Sequence, residues 1–148
     1  MDKEGTGTPV RYYCDADLLI AMLKEEDELK ASAVKVFTAV RQKRIEVFTS
    51  GAALLEVLFW ASKTKTKRTN VREYTRTAAR LVSEVAPLTY ADFVIAAEHL
   101  SAKHVFTLDA LHAAAAGLWP ILSSDAIFEK LGLRRVDPVE LAKRLAVD

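Results

Sequence analysis

Residues 12–20, with the sequence YYCDADLLI, constrain the fold of this chain more than any other stretch. An apolar segment ends at Asp15, and a second apolar segment begins almost at once at Leu18. A short strand that ends on an acid and turns directly into a helix is typical of open α/β folds, which gather functional groups at the carboxyl ends of parallel strands. The stretch therefore predicts a first strand–helix unit with Asp15 at the functional edge of the sheet.

Short apolar segments alternate with segments of helical periodicity through the rest of the chain. Strands are predicted over residues 10–14, 45–49, 86–89, 119–122 and 133–136. Helices are predicted over residues 17–24, from the acidic run 25–28 to about 44, after Ser50, over 70–84, 90–102 and 109–116, after Asp125 to about 132, and from Pro138 onward. This alternation predicts an α/β fold with a mainly parallel sheet. Residues 1–9 are expected to be a disordered lead-in, and residues 10–148 a single domain.

The composition is that of a globular protein and excludes several kinds of function. The net charge of +1 over 148 residues means that any nucleic-acid binding depends on local clusters of charge. The one cysteine, Cys14, excludes an internal disulfide and a cysteine-based zinc site. The polar amino terminus does not resemble a signal peptide, and no apolar run approaches the roughly 20 residues that span a membrane. We therefore expect a cytoplasmic protein.

Four acids occupy related positions in the predicted fold. Asp15 ends the first strand, Asp125 follows the fourth, Asp109 opens a helix, and Glu56 lies about two turns into the helix after the second strand. Taken singly, Asp109 and Asp125 could be helix N-caps and Glu56 could face solvent. Taken together, four acids at or near strand-to-helix junctions predict a shared acidic cavity.

Clustered carboxylates repel one another unless a cation stabilises them. All-oxygen ligand sets favour Mg²⁺ or Mn²⁺. A site of this kind suits in-line attack of water on a phosphodiester, because bound metal ions lower the pKa of water and stabilise the leaving oxygen. The acids therefore favour a phosphodiester hydrolase that needs neither a side-chain nucleophile nor a histidine base.

Four segments, in this order along the chain, carry a family resemblance. Residues 13–20 (YCDADLLI), 49–57 (TSGAALLEV), 109–114 (DALHAA) and 122–128 (LSSDAIF) resemble the motif blocks of PIN domains, especially those of VapC-type toxins. The resemblance implies a three-layer α/β/α fold and an Mg²⁺- or Mn²⁺-dependent endoribonuclease, the toxin of a toxin–antitoxin pair. It also implies a homodimer and a small VapB-type antitoxin whose tail lies in a groove near the acids.

By this resemblance, the metal-binding and catalytic acids are Asp15, Glu56, Asp109 and Asp125. The sequence departs from the family pattern at two adjacent positions. Ala16 stands where the family usually has a hydroxyl residue, which removes a hydrogen bond near Asp15. Asp17 stands where Asn or Ser is usual, and its extra carboxylate is a candidate fifth metal ligand.

The segment 63–80 is strongly basic, with seven basic residues and one acid. Arg72, Arg76 and Arg80 are spaced by four and therefore form one stripe on a helix. A solvated face is the ordinary interpretation of such a stripe. If the stripe lies beside a nuclease site, contact with the RNA backbone is an equally supported interpretation. Such contact would involve these arginines together with Lys65 and Lys67. The three histidines have no metal-ligand spacing, and packing in the core or at its edge is expected for each. His112 lies three residues after Asp109 on the same helix face, so a hydrogen bond near the site is the alternative for it.

Two alternatives from other functional classes remain open on the sequence. The spacing of Asp15 and Asp17 resembles that of haloacid-dehalogenase-type phosphatases, in which the first Asp is the nucleophile, although Leu19 departs from their pattern. A non-catalytic PIN-like scaffold that binds RNA or protein is the other alternative.

The chain contains a single Asn and a single Gln, Asn70 and Gln42. Thermolabile amides are depleted in heat-adapted proteins, which predicts a thermophilic source. We expect the purified protein to unfold well above the range of mesophilic domains when followed by circular dichroism. A midpoint near ~50 °C in dilute buffer would contradict this prediction.

Overall fold

The computed structural model describes residues 9–63 and 70–147. Its five strands form one sheet, in which every pair of neighbouring strands is parallel and the order is β3-β2-β1-β4-β5. The strands are β1 (Val10–Cys14), β2 (Ile45–Ser50), β3 (Glu84–Ala86), β4 (Ile121–Leu122) and β5 (Arg135–Val136). Most of the predicted lead-in, residues 1–8, lies outside the described residues.

Eight helices lie within the described residues and connect or follow the strands. They are α1 (Ala16–Leu23), α2 (Lys30–Arg41), α3 (Gly51–Ser62), α4 (Val71–Leu81), α5 (Tyr90–Ala102), α6 (Thr107–Ala116), α7 (Ile127–Lys130) and α8 (Pro138–Val147). Within the described residues, no helix combines the length and the apolar character that crossing a membrane requires.

Side chains of β1 alternate between two cores, one on each face of the sheet. Tyr12 and Cys14 pack with residues of α1, α2, α3 and α8. Tyr13 points to the opposite face, where it packs with Phe48, Ile121 and Phe128. Alternation along a strand places successive side chains on opposite faces, so the buried run of residues 12–14 in β1 must be covered on both. The predicted three-layer α/β/α fold with a parallel sheet is confirmed.

The register of the sheet brings the ends of β1 and β4 together. Cys14 is paired with Leu122, and the Asp15 amide donates a hydrogen bond of 3.1 Å to the Leu122 carbonyl oxygen. On the other side of β1, Tyr13 is paired with Phe48 of β2. Residues that directly follow these strands therefore meet at one edge, as the position of Asp15 predicted.

The predicted boundary between α4 and β3 is wrong, for an identifiable reason. α4 ends at Leu81 instead of continuing to about 84, and β3 covers Glu84–Ala86 instead of 86–89. Ser83 takes over the pairing with β2: its amide donates to the Val47 carbonyl oxygen over 2.6 Å, and its Oγ accepts from the Val47 amide over 3.2 Å. Pairing with a neighbouring strand therefore overrides the helical pattern of the sequence here.

The helix that carries Asp109 begins two residues earlier than predicted. α6 starts at Thr107, and the Ala110 amide donates to the Phe106 carbonyl oxygen over 3.1 Å. Asp109 is consequently in the first turn of α6 instead of at its start. Its carboxylate is free of a capping role, because no side-chain cap closes this helix.

Candidate metal centre

An open cavity of about 410 Å³ lies at the carboxyl edge of the sheet, between α1, α3, α6 and the segment after β4. Its lining residues are Asp15, Asp17, Ile20, Lys24, Asp27, Leu29, Glu56, Trp60, Asp109, Ser124 and Asp125. The four acids predicted to form a shared site therefore all line one cavity, together with Asp17. They arrive from four separate parts of the chain.

Asp15 is the most deeply buried of these acids, with 7% of its surface exposed. Its Oδ1 accepts a 2.7 Å hydrogen bond from the Ala16 amide, and its Oδ2 accepts a 2.8 Å bond from Ser123 Oγ. Burial raises the pKa of Asp15 to about 7; the imidazole of His112 opposes this rise, and the nearby carboxylate of Asp17 adds to it. The carboxylate is thus fixed in orientation but costly to ionise.

Glu56 meets Asp15 through a histidine. His112 Nε2 lies 2.5 Å from Glu56 Oε1 and 3.2 Å from Asp15 Oδ1. The imidazole is fully buried, whereas the Glu56 side chain is 30% exposed toward the cavity. Burial lowers the pKa of His112, but the hydrogen bond to Glu56 and the charge of Asp15 outweigh burial and raise it overall.

The other ring nitrogen of His112 faces away from the cavity. Nδ1 lies 2.6 Å from the Tyr13 hydroxyl oxygen, which in turn lies 2.7 Å from Ser50 Oγ. Burial raises the pKa of Tyr13 well above its usual range, so the phenol keeps its proton. A buried hydrogen-bonded chain therefore runs from the start of α3 to the two central carboxylates.

Asp17 lies beside the Asp15 carboxylate and is bound to the segment after β4. Its Oδ2 accepts hydrogen bonds from the Ser124 amide over 2.9 Å and from Ser124 Oγ over 2.5 Å. Its Oδ1 is buried and has no hydrogen-bond partner among residues 9–63 and 70–147. Burial raises the pKa of Asp17 despite its bonds to Ser124.

The remaining two acids lie further out in the cavity. Burial raises the pKa of Asp109, and the charge of Asp125 raises it further. Asp125 is exposed, and its Oδ1 accepts a 3.0 Å hydrogen bond from the Ile127 amide at the start of α7. Ala126 is the N-cap of α7, so the N-cap interpretation is wrong for Asp125, whose side chain borders the cavity.

The groups at the centre suit a hard divalent cation. Ligand atoms of Asp15, Glu56 and His112 lie within 4.8 Å of one another. A buried carboxylate oxygen without a partner is costly, and the free Oδ1 of Asp17 borders the same cavity. Carboxylate oxygens are the ligands that Mg²⁺ and Mn²⁺ prefer.

Sequence reasoning missed several residues that shape this centre. Packing was the favoured interpretation of His112, and a hydrogen bond near the site, suggested by its position one helical turn after Asp109, was the alternative. Tyr13, Ser123 and Ser124 gave no local signal, because their partners are distant in sequence. Ser123 and the Ala16 amide supply the hydrogen bonds to Asp15 in this chain, which has no hydroxyl at position 16.

Three of the five predicted RNA-binding residues lie within the described residues. Arg72, Arg76 and Arg80 are exposed on α4, while Lys65 and Lys67 lie outside the described residues. Tyr74 of the same helix packs edge-on against Trp60, with ring centroids 5.1 Å apart, and Trp60 lines the acidic cavity. Arg80 instead borders a different cavity, which includes Pro9 and Ile45 at the amino ends of β1 and β2.

Comparison with protein families identifies the family to which the chain belongs. The model of the PIN domain family matches residues 12–132, which include all four predicted acids. The chain belongs to the PIN domain family. The resemblance inferred from the sequence motifs is thereby confirmed.

Three solved structures illustrate the likeness of this PIN domain to known folds. The FitAcB structure from Neisseria gonorrhoeae matches with a TM-score of 0.68 and 14% identity, over 86% of this chain and 98% of that chain. VapBC2 from Rickettsia felis, bound to a DNA fragment from their promoter, matches with a TM-score of 0.67 and 12% identity, over 86% and 98% of the two chains. VapC20 of Mycobacterium tuberculosis, a Sarcin-Ricin loop cleaving toxin, matches with a TM-score of 0.64 and 21% identity, over 84% and 98%. No curated protein matches the chain in sequence.

The pKa of Asp15 predicts how metal binding depends on pH. A carboxylate binds a cation only after losing its proton, so below its pKa of about 7 protons compete with the metal. We expect Mn²⁺ affinity, measured by isothermal titration calorimetry, to weaken by roughly tenfold per unit as the pH falls from 7 to 5, with release of a proton on binding. A constant affinity over this range would contradict a role for Asp15 as a ligand.

Proposed function

We propose that this PIN domain is a divalent-metal-dependent endoribonuclease and the toxin of a VapBC-type toxin–antitoxin pair. The observation that carries the proposal is the pair of carboxylates of Asp15 and Glu56 at the centre of a cavity lined by three further acids. Membership of the PIN domain family and the likeness to toxin structures support it. The proposal includes a cytoplasmic location, because that is where the RNA substrate is found.

In this proposal Asp15 and Glu56 hold the metal, with Asp109, Asp125 and the free oxygen of Asp17 completing the acidic surround. Mg²⁺ or Mn²⁺, when bound, would lower the pKa of water and neutralise charge on the phosphate. Ser123 and the Ala16 amide fix both oxygens of Asp15, so its carboxylate keeps one orientation throughout the reaction. Lys24 lines the cavity and pairs with Asp27 over 3.3 Å, so it places a positive charge at the wall of the proposed RNA site.

The geometry favours this chemistry over a phosphatase that uses Asp15 as nucleophile. A nucleophilic oxygen must approach phosphorus freely, whereas both oxygens of Asp15 already accept hydrogen bonds and the side chain is only 10% exposed. A non-catalytic scaffold would not need a costly group of acids with raised pKa values. Asp15, Asp17 and Asp109 all have such values.

The proposed protein partners are a second copy of the chain and a small VapB-type antitoxin. α5 exposes apolar side chains on most of its surface and buries only Ala96 fully. Phe93, Val94 and Ile95 are 41–52% exposed, which is unusual for a surface that stays in water. We assign this face to the homodimer. The acidic cavity, with the apolar Ile20, Leu29 and Trp60 in its wall, suits a basic and apolar tail of the antitoxin.

Replacing Asp15 by Asn tests the nuclease assignment. We expect metal-dependent cleavage of a mixture of transfer and ribosomal RNA to fall by about 100-fold or more, because a central ligand loses its charge. The fold should remain intact, since burial disfavours the ionised form of Asp15 and an amide removes that cost. Glu26→Gln, at an exposed acid outside the cavity, is the matched control. Full cleavage by Asp15→Asn would refute the assignment.

The two arginines nearer the start of α4 provide a test of RNA contact. Replacing Arg72 and Arg76 together by Gln should weaken RNA binding at low salt and reduce the slope of affinity against salt by roughly 1–2. Arg80→Gln on the same helix is the control, because Arg80 borders a different cavity. Binding is measured by fluorescence anisotropy. Equal binding by the double variant and the wild type would mean that these arginines are a solvated face without RNA contact.

The assignment of α5 to the homodimer is tested by charge. Phe93→Glu should shift the mass measured by multi-angle light scattering from two chains to one, because a buried charge without a partner opposes association. Val34→Glu, at an apolar residue of α2 that is also 45% exposed, should leave the mass unchanged. A dimer that survives Phe93→Glu would place the interface elsewhere.

A further inference from the structure

We propose that His112 is a positioning residue, which fixes Glu56 beside Asp15 at metal-binding distance and is itself oriented by Tyr13 and Ser50. The proposal rests on the proposed function, because it concerns the site at which the metal would bind. It adds a second set of residues, none of them acidic, on which that site depends. The juxtaposition that carries it is one buried ring between two carboxylates and a phenol.

When Asp15 and Glu56 are ionised, as metal binding requires, the contacts of Nε2 assign it as a hydrogen-bond donor. An ionised carboxylate only accepts hydrogen bonds, and Nε2 lies 2.5 Å from one carboxylate oxygen and 3.2 Å from the other. The two oxygens of Asp15 also accept bonds from the Ala16 amide and from Ser123, which is how an ionised acid is bonded. Nε2 therefore carries a proton that Glu56 and Asp15 share. A nitrogen in this state offers no lone pair to a metal.

The contacts of Nδ1 complete a chain with a consistent direction. The Ser50 hydroxyl can donate to the Tyr13 oxygen, the Tyr13 hydroxyl can donate to Nδ1, and Nε2–H donates to the carboxylates. Ser50 Oγ in turn accepts a 3.2 Å hydrogen bond from the Ala52 amide at the start of α3. In the hydrogen-bonded series from Ser50 through Tyr13 to His112, every side-chain polar atom has a partner. The imidazole of His112 therefore has one favoured orientation.

Packing holds the imidazole in that orientation. Tyr13 and Phe128 contact it edge-on, with ring centroids 5.6 and 6.4 Å away and interplanar angles of 63° and 82°. The ring is fully buried, so it cannot turn without moving these neighbours. The proton on Nε2 is therefore presented to the carboxylates from a rigid support.

Glu56 is the residue that most needs this support. Its side chain has three rotatable bonds and is 30% exposed, so without a partner it would sample conformations that leave Asp15. Asp15 is held by its own bonds to Ala16 and Ser123. His112 thus supplies the constraint that brings a flexible acid from α3 to a rigid acid at the end of β1. Loss of partners of this kind typically costs about 10–100-fold in metal affinity.

The experiment compares Mn²⁺ affinity, measured by calorimetry, in three variants and two controls. His112→Leu and Tyr13→Phe should weaken binding by about tenfold or more. His112→Gln should recover most of the affinity, because its amide places an N–H near the position of Nε2. Tyr12→Phe removes a hydroxyl from the neighbouring residue of β1, and His104→Leu removes an exposed imidazole; both should bind as the wild type does. Thermal unfolding of each metal-free variant separates loss of binding from loss of fold.

A second measurement does not depend on metal or on activity. In metal-free protein labelled with ¹⁵N-histidine, the Nε2 proton of His112 should be visible by nuclear magnetic resonance and protected from exchange, and Tyr13→Phe should shift the Nδ1 resonance. An Nε2 without a proton, or direct coupling of this nitrogen to bound Mn²⁺ in electron spin echo spectra, would overturn the positioning role.

The outcomes separate the two proposals. If the wild type binds Mn²⁺ no better than Asp15→Asn, the proposed metal-dependent function fails. If the wild type binds Mn²⁺ through Asp15 while His112→Leu and Tyr13→Phe bind equally well, only the positioning role fails. If Tyr13→Phe weakens binding and His112→Gln restores what His112→Leu loses, the positioning role is supported.

Discussion

The buried carboxylate of Asp15 is the group on which the rest of this structure depends. An ionised acid that is 7% exposed is costly to desolvate, and the surrounding side chains are arranged to reduce that cost. Ser123, the Ala16 amide and His112 each place a donor against it. These donors come from the residue after β4, from α1 and from α6, so stabilising one acid aligns three separate segments of the chain. The cavity at the edge of the sheet is a consequence of that alignment.

Much of the fold follows from local patterns in the sequence. The apolar strand before Asp15, the capped start of α3 at Ser50 and the helix over residues 90–102 are all encoded by neighbouring residues. β3 is displaced because its position depends on pairing with Val47, which no local pattern reveals. The two-residue strands β4 and β5 were predicted too long for the same reason.

In the candidate site, too, the features set by local sequence were predictable and those set by distant contacts were not. Its acids were predictable because each lies at or near a strand-to-helix junction, and parallel strands bring such junctions together. The groups that orient them were not, because Tyr13 and Ser50 reach His112 across large separations in sequence. A histidine in an alanine-rich helix looks like a packing residue until the fold places a phenol on one side and two carboxylates on the other.

The bonds between the acids and the segment after β4 have a consequence for local stability. β4 is two residues long, so few backbone hydrogen bonds hold the residues that follow it. The Ser123 backbone bonds to Val136 and Arg135. The Ser123 hydroxyl and both the amide and the hydroxyl of Ser124 are attached through the carboxylates of Asp15 and Asp17. The free energy of local opening of this segment is therefore linked to the occupancy of those oxygens. Amide exchange at Ser124 and Asp125 reports on whatever the two acids bind.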